Sequence, residues 1–338
     1  MNLTTIANPL PSINNSSKTI LPGAPWLIAH KTMLGINKPY KITFQGKDYV
    51  LWQNQQQEIF ALNNICPHMQ APLSDGWVCR ERNTITCPFH GLEFDGKGRV
   101  YREENLNYQA ITQPLELIVQ DELIWTYGGI KPRLPIPDLI PRITEGFIFL
   151  GATGEKSIQA DFLKCLKINY DFNHALATHR EPFKFRKIEI KDYQENNYYT
   201  KLNQEITRAD NTLKEIITNP AFLTTPKTLF NQFEYSFPST TSIITNTDFG
   251  QLVQLFILYP ETENCTKTFI LLYAKPKNIF NKFLLLLLKQ YFLNSFNLIF
   301  EQDTNMLETL YPTQKPKIRL PREEIMFHAE KLYQQWEL

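Results

Sequence analysis

Two short cysteine–histidine doublets constrain this chain more than any other feature of its sequence. The doublets are Cys66-Pro-His68 and Cys87-Pro-Phe-His90, and the segment 69–86 separates them. Each doublet offers one sulfur and one nitrogen ligand from a tight loop. Two kinds of metal centre use two thiolates with two imidazoles: a tetrahedral zinc site, and a [2Fe–2S] cluster whose cysteines bind one iron and whose histidines bind the other. Zinc sites more commonly pair cysteine with cysteine and histidine with histidine. The mixed cysteine–histidine pairs of this chain therefore favour the [2Fe–2S] cluster, and a zinc site remains the alternative.

The residues around the doublets carry a family resemblance. The stretches Cys66-Pro-His-Met-Gln-Ala-Pro-Leu-Ser-Asp-Gly76 and Cys87-Pro-Phe-His-Gly-Leu-Glu-Phe-Asp-Gly96 closely resemble the Rieske domain of ring-hydroxylating oxygenases. Respiratory and photosynthetic Rieske proteins have an additional cysteine in each loop, where this chain has Ala71 and Phe89. The resemblance implies a [2Fe–2S] cluster of the oxygenase or ferredoxin branch, with four ligands: Cys66, His68, Cys87 and His90.

A second constellation, Asp171-Phe-Asn-His174-Ala-Leu-Ala-Thr-His179, lies well beyond the doublets, near the middle of the chain. In an ideal helix Asp171 and His174 share a face, whereas His174 and His179 point about 140° apart. Binding of one metal by both histidines therefore requires a local break or a π-bulge between them. Two histidines and one carboxylate form the facial triad of non-haem Fe(II) oxygenases, so we predict a mononuclear iron site here.

The carboxylate of that triad is expected on an apolar helix face. Asp303 lies at helical spacing with Ile299, Met306 and Leu310. A carboxylate in an apolar stripe is costly unless it is paired or bound to a metal. We therefore predict Asp303 as the third iron ligand, with two weaker candidates, Glu308 and Asp210.

The family resemblance also implies a role for Asp171 as an electron bridge and not as a strong iron ligand. In relatives the matching aspartate accepts a hydrogen bond from a cluster histidine of the neighbouring subunit in a head-to-tail trimer. The corresponding histidine here is His90, so the resemblance implies a homotrimer. It further implies electrons from NAD(P)H through a reductase or ferredoxin, and O₂ as co-substrate.

The pattern of strand and helix signals predicts an α+β fold in two domains. Strand-like runs such as Tyr40–Phe44 alternate with turn residues up to about residue 130. A proline cluster over 132–141 reads as a linker. We predict an N-terminal tail over residues 1–24, an antiparallel β Rieske domain over 25–135 and a catalytic mononuclear-iron domain over 136–338. The predicted catalytic domain has a strand over Ile143–Leu150, helices near 162–180, 278–311 and 321–336, and, by resemblance, a sheet wrapped around a helix.

Charge and cysteine content argue against several other classes of protein. The formal net charge is +1 and no basic run stands out, which argues against a nucleic-acid partner. Five cysteines in 338 residues are an odd number and a poor disulfide scaffold. The predicted tail over 1–24 lacks the charged and then apolar order of a secretory signal. These features predict a cytoplasmic protein.

The most apolar segment is Phe280–Phe300, in which Phe283 precedes five consecutive leucines. Lys282 and Lys289 interrupt it, so its pure apolar run is far shorter than the roughly 20 residues of a membrane span. A buried helix or a pocket wall is the favoured interpretation, and docking on a membrane surface is the less favoured one.

These features together predict the terminal oxygenase component of a Rieske non-haem iron enzyme. Such a protein would hydroxylate, demethylate or desaturate a small, largely apolar organic substrate. The alternative is a non-catalytic Rieske electron carrier or iron-binding protein. A Rieske ferredoxin would need little more than the predicted Rieske domain, and the second histidine motif argues against it.

Overall fold

Antiparallel sheets of two sizes organise the chain. The structure, a computed structural model, describes residues 19–101, 109–311 and 317–336. Most of the predicted tail, positions 1–18, lies outside the described residues. Leu21 and Ala24 are fully buried, so the end of that tail packs into the hydrophobic core.

The N-terminal region contains three small antiparallel sheets, in the orders β1-β9-β8, β2-β3-β4 and β5-β6-β7. The predicted strand Tyr40–Phe44 is confirmed. Gln45 and Gly46 both have positive φ, as a tight hairpin turn between two twisted strands requires. The strands are β1 (Trp26–His30), β2 (Tyr40–Phe44), β3 (Lys47–Gln53), β4 (Ile59–Asn63), β5 (Trp77–Cys79), β6 (Thr84–Thr86), β7 (Glu93–Phe94), β8 (Ile118–Gln120) and β9 (Leu123–Thr126).

The C-terminal region is built on one eight-stranded antiparallel sheet. Its order is β10-β17-β16-β15-β14-β13-β12, and β11 pairs with β17. The strands are β10 (Ile148–Ala152), β11 (Lys156–Ile158), β12 (Phe185–Asn196), β13 (Tyr199–Arg208), β14 (Thr228–Ser236), β15 (Thr240–Thr247), β16 (Gly250–Thr262) and β17 (Cys265–Pro276). The helices are α1 (Leu139–Thr144), α2 (Phe162–Ile168), α3 (Arg180–Phe183), α4 (Leu213–Thr218), α5 (Ile279–Thr309) and α6 (Glu324–Trp336), with 3₁₀ turns at Lys31–Met33, Leu73–Asp75, His174–Leu176 and Pro220–Thr224.

The long helix α5 packs against this sheet. It begins where the Asn278 side chain accepts a hydrogen bond from the backbone N–H of Asn281, an N-cap that satisfies one free donor of the first turn. Leu285 and Phe292 of α5 pack in one buried cluster with Phe256 and Ile270 of the sheet. The expected α+β fold, with antiparallel sheets and a helix against the larger one, is confirmed.

The two regions share one hydrophobic core. Trp26 packs edge-on against Phe162, with ring centroids 5.1 Å apart. The backbone N–H of Gln45 donates to the carbonyl oxygen of Pro260 at 3.0 Å. Leu139 and Ile140, within the segment interpreted as a linker, are buried in the same core. The C-terminal end of that segment is therefore packed into the core, whereas Pro132 and Pro135 near its start are exposed.

Two of the predicted elements are wrong in part. The first two residues of the predicted strand Ile143–Leu150 belong instead to the last turn of α1. Pro141 does not prevent this helix, because proline is tolerated in a first helical turn, and Gly146, at φ 73°, ends it. The strand proper starts at Ile148. The predicted helix 162–180 ends at Ile168, because the side chain of Asp171 binds the backbone N–H of Asn173 and favours a turn. The helices predicted near 278–311 and 321–336 are confirmed as α5 and α6.

Candidate metal centres

The two cysteine–histidine loops have the same backbone geometry. In the first loop the N–H of Cys66 donates to the carbonyl of Ala71, and the N–H of Gln70 donates to the carbonyl of Cys66, both at 2.9 Å. In the second loop the N–H of Cys87 donates to the carbonyl of Leu92 at 2.8 Å, and the N–H of Gly91 donates to the carbonyl of Cys87 at 3.1 Å. Gln70 and Gly91, at matching positions, both have positive φ. Each loop therefore holds one cysteine and one histidine in the same geometry, as expected if the two loops bind one metal centre together.

The four predicted cluster ligands divide into a buried and an exposed pair. The thiols of Cys66 and Cys87 are buried and contact each other. The rings of His68 and His90 are exposed and lie edge to face, with centroids 4.7 Å apart. Two sulfurs beneath two solvent-facing imidazoles suit a [2Fe–2S] cluster with one iron on each pair.

Burial raises the pKa of the Cys66 thiol, and the neighbouring Cys87 adds to this, although the backbone N–H groups of His68 and Met69 directed at the sulfur oppose it. The Cys66 thiol is thus a poor anion on its own. A bound cation would compensate the charge of both thiolates, which is the condition that an iron cluster fulfils.

The second predicted set of ligands also converges, although its residues come from distant parts of the chain. Nε2 of His174 lies 3.2 Å from Nε2 of His179. Oδ1 of Asp303, on α5, lies 3.1 Å from His179 Nε2 and 3.4 Å from His174 Nε2. The Oδ1 atom is shielded from solvent and accepts no well-formed hydrogen bond among the described residues. One ligand atom of each residue therefore faces a common point.

The hydrogen bonds on the far side of each ring fix which nitrogen faces that point. Nδ1 of His174 contacts the backbone carbonyl oxygen of Asp171, and Nδ1 of His179 lies 2.8 Å from Oε1 of Gln302. A carbonyl oxygen can only accept, so each Nδ1 must carry the proton. Both Nε2 atoms of the neutral rings then present lone pairs to each other and to a carboxylate. A cation bound between these atoms would remove the repulsion among their lone pairs, and two imidazoles with one carboxylate are a donor set that suits Fe(II).

The charges of the three groups support the same conclusion. Burial raises the pKa of Asp303, but the two histidines outweigh burial and hold this pKa below its usual range. Burial lowers the pKa of His174, but Asp303 beside it reverses the shift and raises that pKa overall. The carboxylate is therefore ionised and attracts either a proton or a metal ion to the space that it shares with the imidazoles.

The break between the two histidines takes the form of a 3₁₀ turn. The turn spans His174–Leu176, and the backbone of Ala177 then departs to φ −108° and ψ −62°. No π-helix lies in this part of the described chain. The break rotates His179 onto the side of His174, which a continuous helix would prevent.

Asp171 lies just before this turn and organises it. Its Oδ1 accepts hydrogen bonds from the backbone N–H of Asn173 at 3.0 Å and of His174 at 3.4 Å. Its backbone carbonyl holds the His174 ring. Within the described residues of one chain, no hydrogen bond joins Asp171 to His90.

The two weaker carboxylate candidates lie elsewhere. Glu308 accepts a hydrogen bond from the backbone N–H of Gln159 at 2.8 Å, and Asp210 pairs with Lys227 at 2.8 Å. The expected buried stripe around Asp303 is incomplete, because Met306 and Leu310 are exposed. Sequence reasoning missed Gln302, which precedes Asp303 and has no distinguishing signal of its own.

A cavity of about 210 Å³ opens beside the triad. His174, His179 and Asp303 line one part of it, and aromatic side chains such as Phe233 and Phe296 line much of the rest. A row of polar residues crosses its sheet wall: Gln204 on β13 is directly opposite Asn231 on β14, and Asn231 is opposite Thr245 on β15. The Oδ1 atom of Asn231 is buried without a partner among the described residues.

Comparisons with known proteins agree with the geometry. A family model of the Rieske [2Fe-2S] domain matches residues 25–113. The chain is 31% identical to a 4beta-methylsterol monooxygenase of Methylococcus capsulatus over 42% of this chain and 41% of that protein. It is 29% identical to the oxygenase component of dicamba O-demethylase of Stenotrophomonas maltophilia over 46% of this chain and 47% of that protein. Each alignment thus spans less than half of the relative.

The fold likeness extends over nearly the whole chain. A crystal structure of dicamba monooxygenase bound to dicamba superimposes with a TM-score of 0.71 and 20% identity, covering 94% of this chain and 98% of that one. The chain therefore carries a Rieske [2Fe-2S] domain over residues 25–113 and shares the fold of dicamba monooxygenase.

Replacing Cys87 tests the cluster site. Cys87→Ser should abolish the rhombic EPR signal of a reduced Rieske cluster, because the Cys87 thiolate is a predicted ligand. Iron and acid-labile sulfide should fall together. Cys79→Ser is the matched control, since Cys79 is half-buried in the same region and outside the ligand set. Stoichiometric zinc without sulfide in the wild-type protein would refute the cluster.

Replacing Gln302 tests the positioning of His179. Gln302→Leu removes the acceptor of the Nδ1 proton, and we expect Fe(II) affinity to fall about 10–100-fold while the cluster spectrum is unchanged. Gln302→Glu keeps an acceptor and should restore most of the affinity. Gln290→Leu changes an exposed glutamine on the same helix and serves as the control. Equal affinity in Gln302→Leu and wild type would contradict the proposed role.

Proposed function

We propose that this chain is the terminal oxygenase component of a Rieske non-haem iron enzyme. In this proposal Cys66, His68, Cys87 and His90 hold the [2Fe–2S] cluster, and His174, His179 and Asp303 hold a mononuclear Fe(II). Electrons from NAD(P)H reach the cluster through a reductase or ferredoxin. The chain then uses O₂ to hydroxylate, demethylate or desaturate a small organic molecule.

The convergence of two imidazole lone pairs and a carboxylate oxygen on one point, at the wall of an apolar cavity, carries this proposal. An electron carrier needs no such site and no such cavity. Three protein ligands leave the remaining positions of an iron ion free for other ligands, which distinguishes a catalytic site from a closed structural one. Bound iron would supply the activation of O₂.

The cavity supports a substrate of modest size. Its volume of about 210 Å³ exceeds the ~150 Å³ of a protein cavity known to bind benzene. A substituted single ring or a compound of similar bulk would fill it. The unpaired Oδ1 atom of Asn231 is costly to bury without a partner, so we propose that the substrate offers an O–H or N–H group to it. One solved structure of the same fold is bound to dicamba, which supports a small organic substrate.

The protein residues around the iron would orient and shield the substrate. Aromatic side chains of the cavity exclude water and fix the plane of a ring. The polar row from Gln204 to Thr245 would set which end of the molecule faces the metal. Gln302 and the Asp171 carbonyl hold the two histidines in the tautomer that binds iron.

Transfer of electrons between the two centres is proposed to cross a subunit boundary. His90 is exposed, and one oxygen of the Asp171 carboxylate remains available after Oδ1 has bound the turn. We propose that Asp171 accepts a hydrogen bond from His90 of the partner subunit in a head-to-tail homotrimer, a heterologous interface that closes. The five unpaired cysteines support a cytoplasmic location.

Oxygen uptake tests the function directly. With a surrogate ferredoxin, its reductase and NADH, a panel of substituted aromatic compounds should include some that stimulate uptake and are oxidised in proportion. His179→Ala should keep the cluster and lose this stimulation. A fully reducible cluster with no substrate-dependent uptake above the His179→Ala level would favour the electron-carrier alternative.

Replacement of Asp171 tests the bridge. Asp171→Asn should keep both metals but slow single-turnover oxidation of the cluster, because a charged acceptor in the hydrogen bond becomes neutral. Asp248→Asn, at an exposed position, is the control. Sedimentation should give a trimer for both variants. An active monomer, or wild-type electron transfer in Asp171→Asn, would contradict the bridge.

A further inference from the structure

The outward face of α5 is apolar although it is exposed. Phe280, Phe283, Leu287, Tyr291 and Leu298 follow one another at helical spacing and form a single stripe. The first three are 68%, 68% and 64% exposed. The stripe extends roughly 27 Å at 1.5 Å per residue. A surface helix ordinarily shows charged and polar residues on this face, so the stripe marks a surface that contacts something apolar.

A second group of exposed apolar side chains widens this surface. Leu213 and Ile217 of α4 are each 79% exposed, and Leu223, in the 3₁₀ turn that follows, is 62% exposed. The side chain of Asn219, between α4 and that turn, donates to Oγ of Ser295 on α5 at 2.7 Å. This bond ties the α4 segment to the flank of α5. We name the stripe and the three α4-segment residues together the apolar face.

Basic residues border the α5 stripe of the apolar face, and the sequence around that stripe lacks acidic residues. Between Glu263 and Glu301 the sequence contains five lysines and no aspartate or glutamate. Lys277, Lys282 and Lys289 form no ion pair among the described residues. Exposed aromatic and leucine side chains bordered by free lysines are the composition of a helix that lies in the interface of an anionic membrane.

The residues on the inner face of α5 indicate whether this helix lies on a bilayer or crosses it. The helix is long and apolar enough to cross a membrane by length and composition. However, Phe292, Phe296 and Asp303 on its inner face line the cavity, and Leu285 and Leu288 pack in the core beneath it. Crossing a bilayer would remove these residues from the fold, whereas surface docking uses the outer face alone.

We propose that the apolar face of α4 and α5 docks this protein on the surface of an anionic lipid bilayer. The favoured interpretation of the leucine-rich segment as a buried helix or pocket wall therefore describes its inner face, and the membrane-surface interpretation describes its outer face. The docking needs neither metal centre. A failure of the docking test would consequently leave the proposed oxygenase function intact.

Vesicle flotation with the full-length, cluster-loaded protein tests the docking. The protein should float with vesicles of phosphatidylglycerol and phosphatidylcholine, float less with pure phosphatidylcholine, and dissociate as salt is raised. Phe283→Ser/Leu287→Ser should weaken binding at least about tenfold. Lys282→Gln/Lys289→Gln should weaken it about fivefold per lysine on the anionic vesicles and leave it unchanged on the neutral ones.

The matched control is Ile36→Ser/Val119→Ser, which removes two exposed apolar side chains of the N-terminal region and should bind like wild type. Iron content and cluster spectrum report whether each variant is folded. Absence of flotation on every vesicle, or equal loss in the control pair, would overturn the proposal. So would a change in oligomeric mass for Phe283→Ser/Leu287→Ser, because the face would then join copies of the chain.

Discussion

The approach of two imidazole nitrogens and one carboxylate oxygen is the interaction on which the rest of the structure depends. The three atoms lie 3.1–3.4 Å apart, too close to be stable without a cation or a shared proton between them. Holding them there requires the break after His174, the hydrogen bond from His179 to Gln302 and the packing of α5 on the sheet. The fold thus brings Asp303 of α5 next to His174 and His179, which lie far from it in the sequence.

The sequence predicted which side chains converge better than it predicted the elements around them. The histidine ligands lie in compact motifs whose spacing limits their geometry, and Asp303 was recognised as an acid among apolar residues. The form of the break could not be predicted, because it depends on how the Asp171 side chain competes for backbone N–H groups. Gln302 and the polar row of Gln204, Asn231 and Thr245 were also missed. Their roles arise from helix orientation and strand register, which a single sequence does not reveal.

Helix α5 illustrates why one sequence pattern can be compatible with two interpretations. Apolar residues occur on both the inner and the outer face of its first half, so periodicity does not distinguish the two faces. Packing on β17 buries Leu285 and Leu288 but leaves Phe283 and Leu287 exposed. The same helix carries Asp303 toward its other end, so the proposed docking face and the predicted iron ligand belong to one element.

Fe(II) binding by the Asp303→Ala variant tests the central claim most directly. The carboxylate is the single charge that makes the triad attractive to a cation, so its removal should abolish stoichiometric mononuclear iron while the [2Fe–2S] spectrum and sulfide content stay at wild-type values. Asp303→Glu should retain part of the binding. Full mononuclear iron occupancy in Asp303→Ala, with the cluster intact, would show that the three converging atoms are not the metal site.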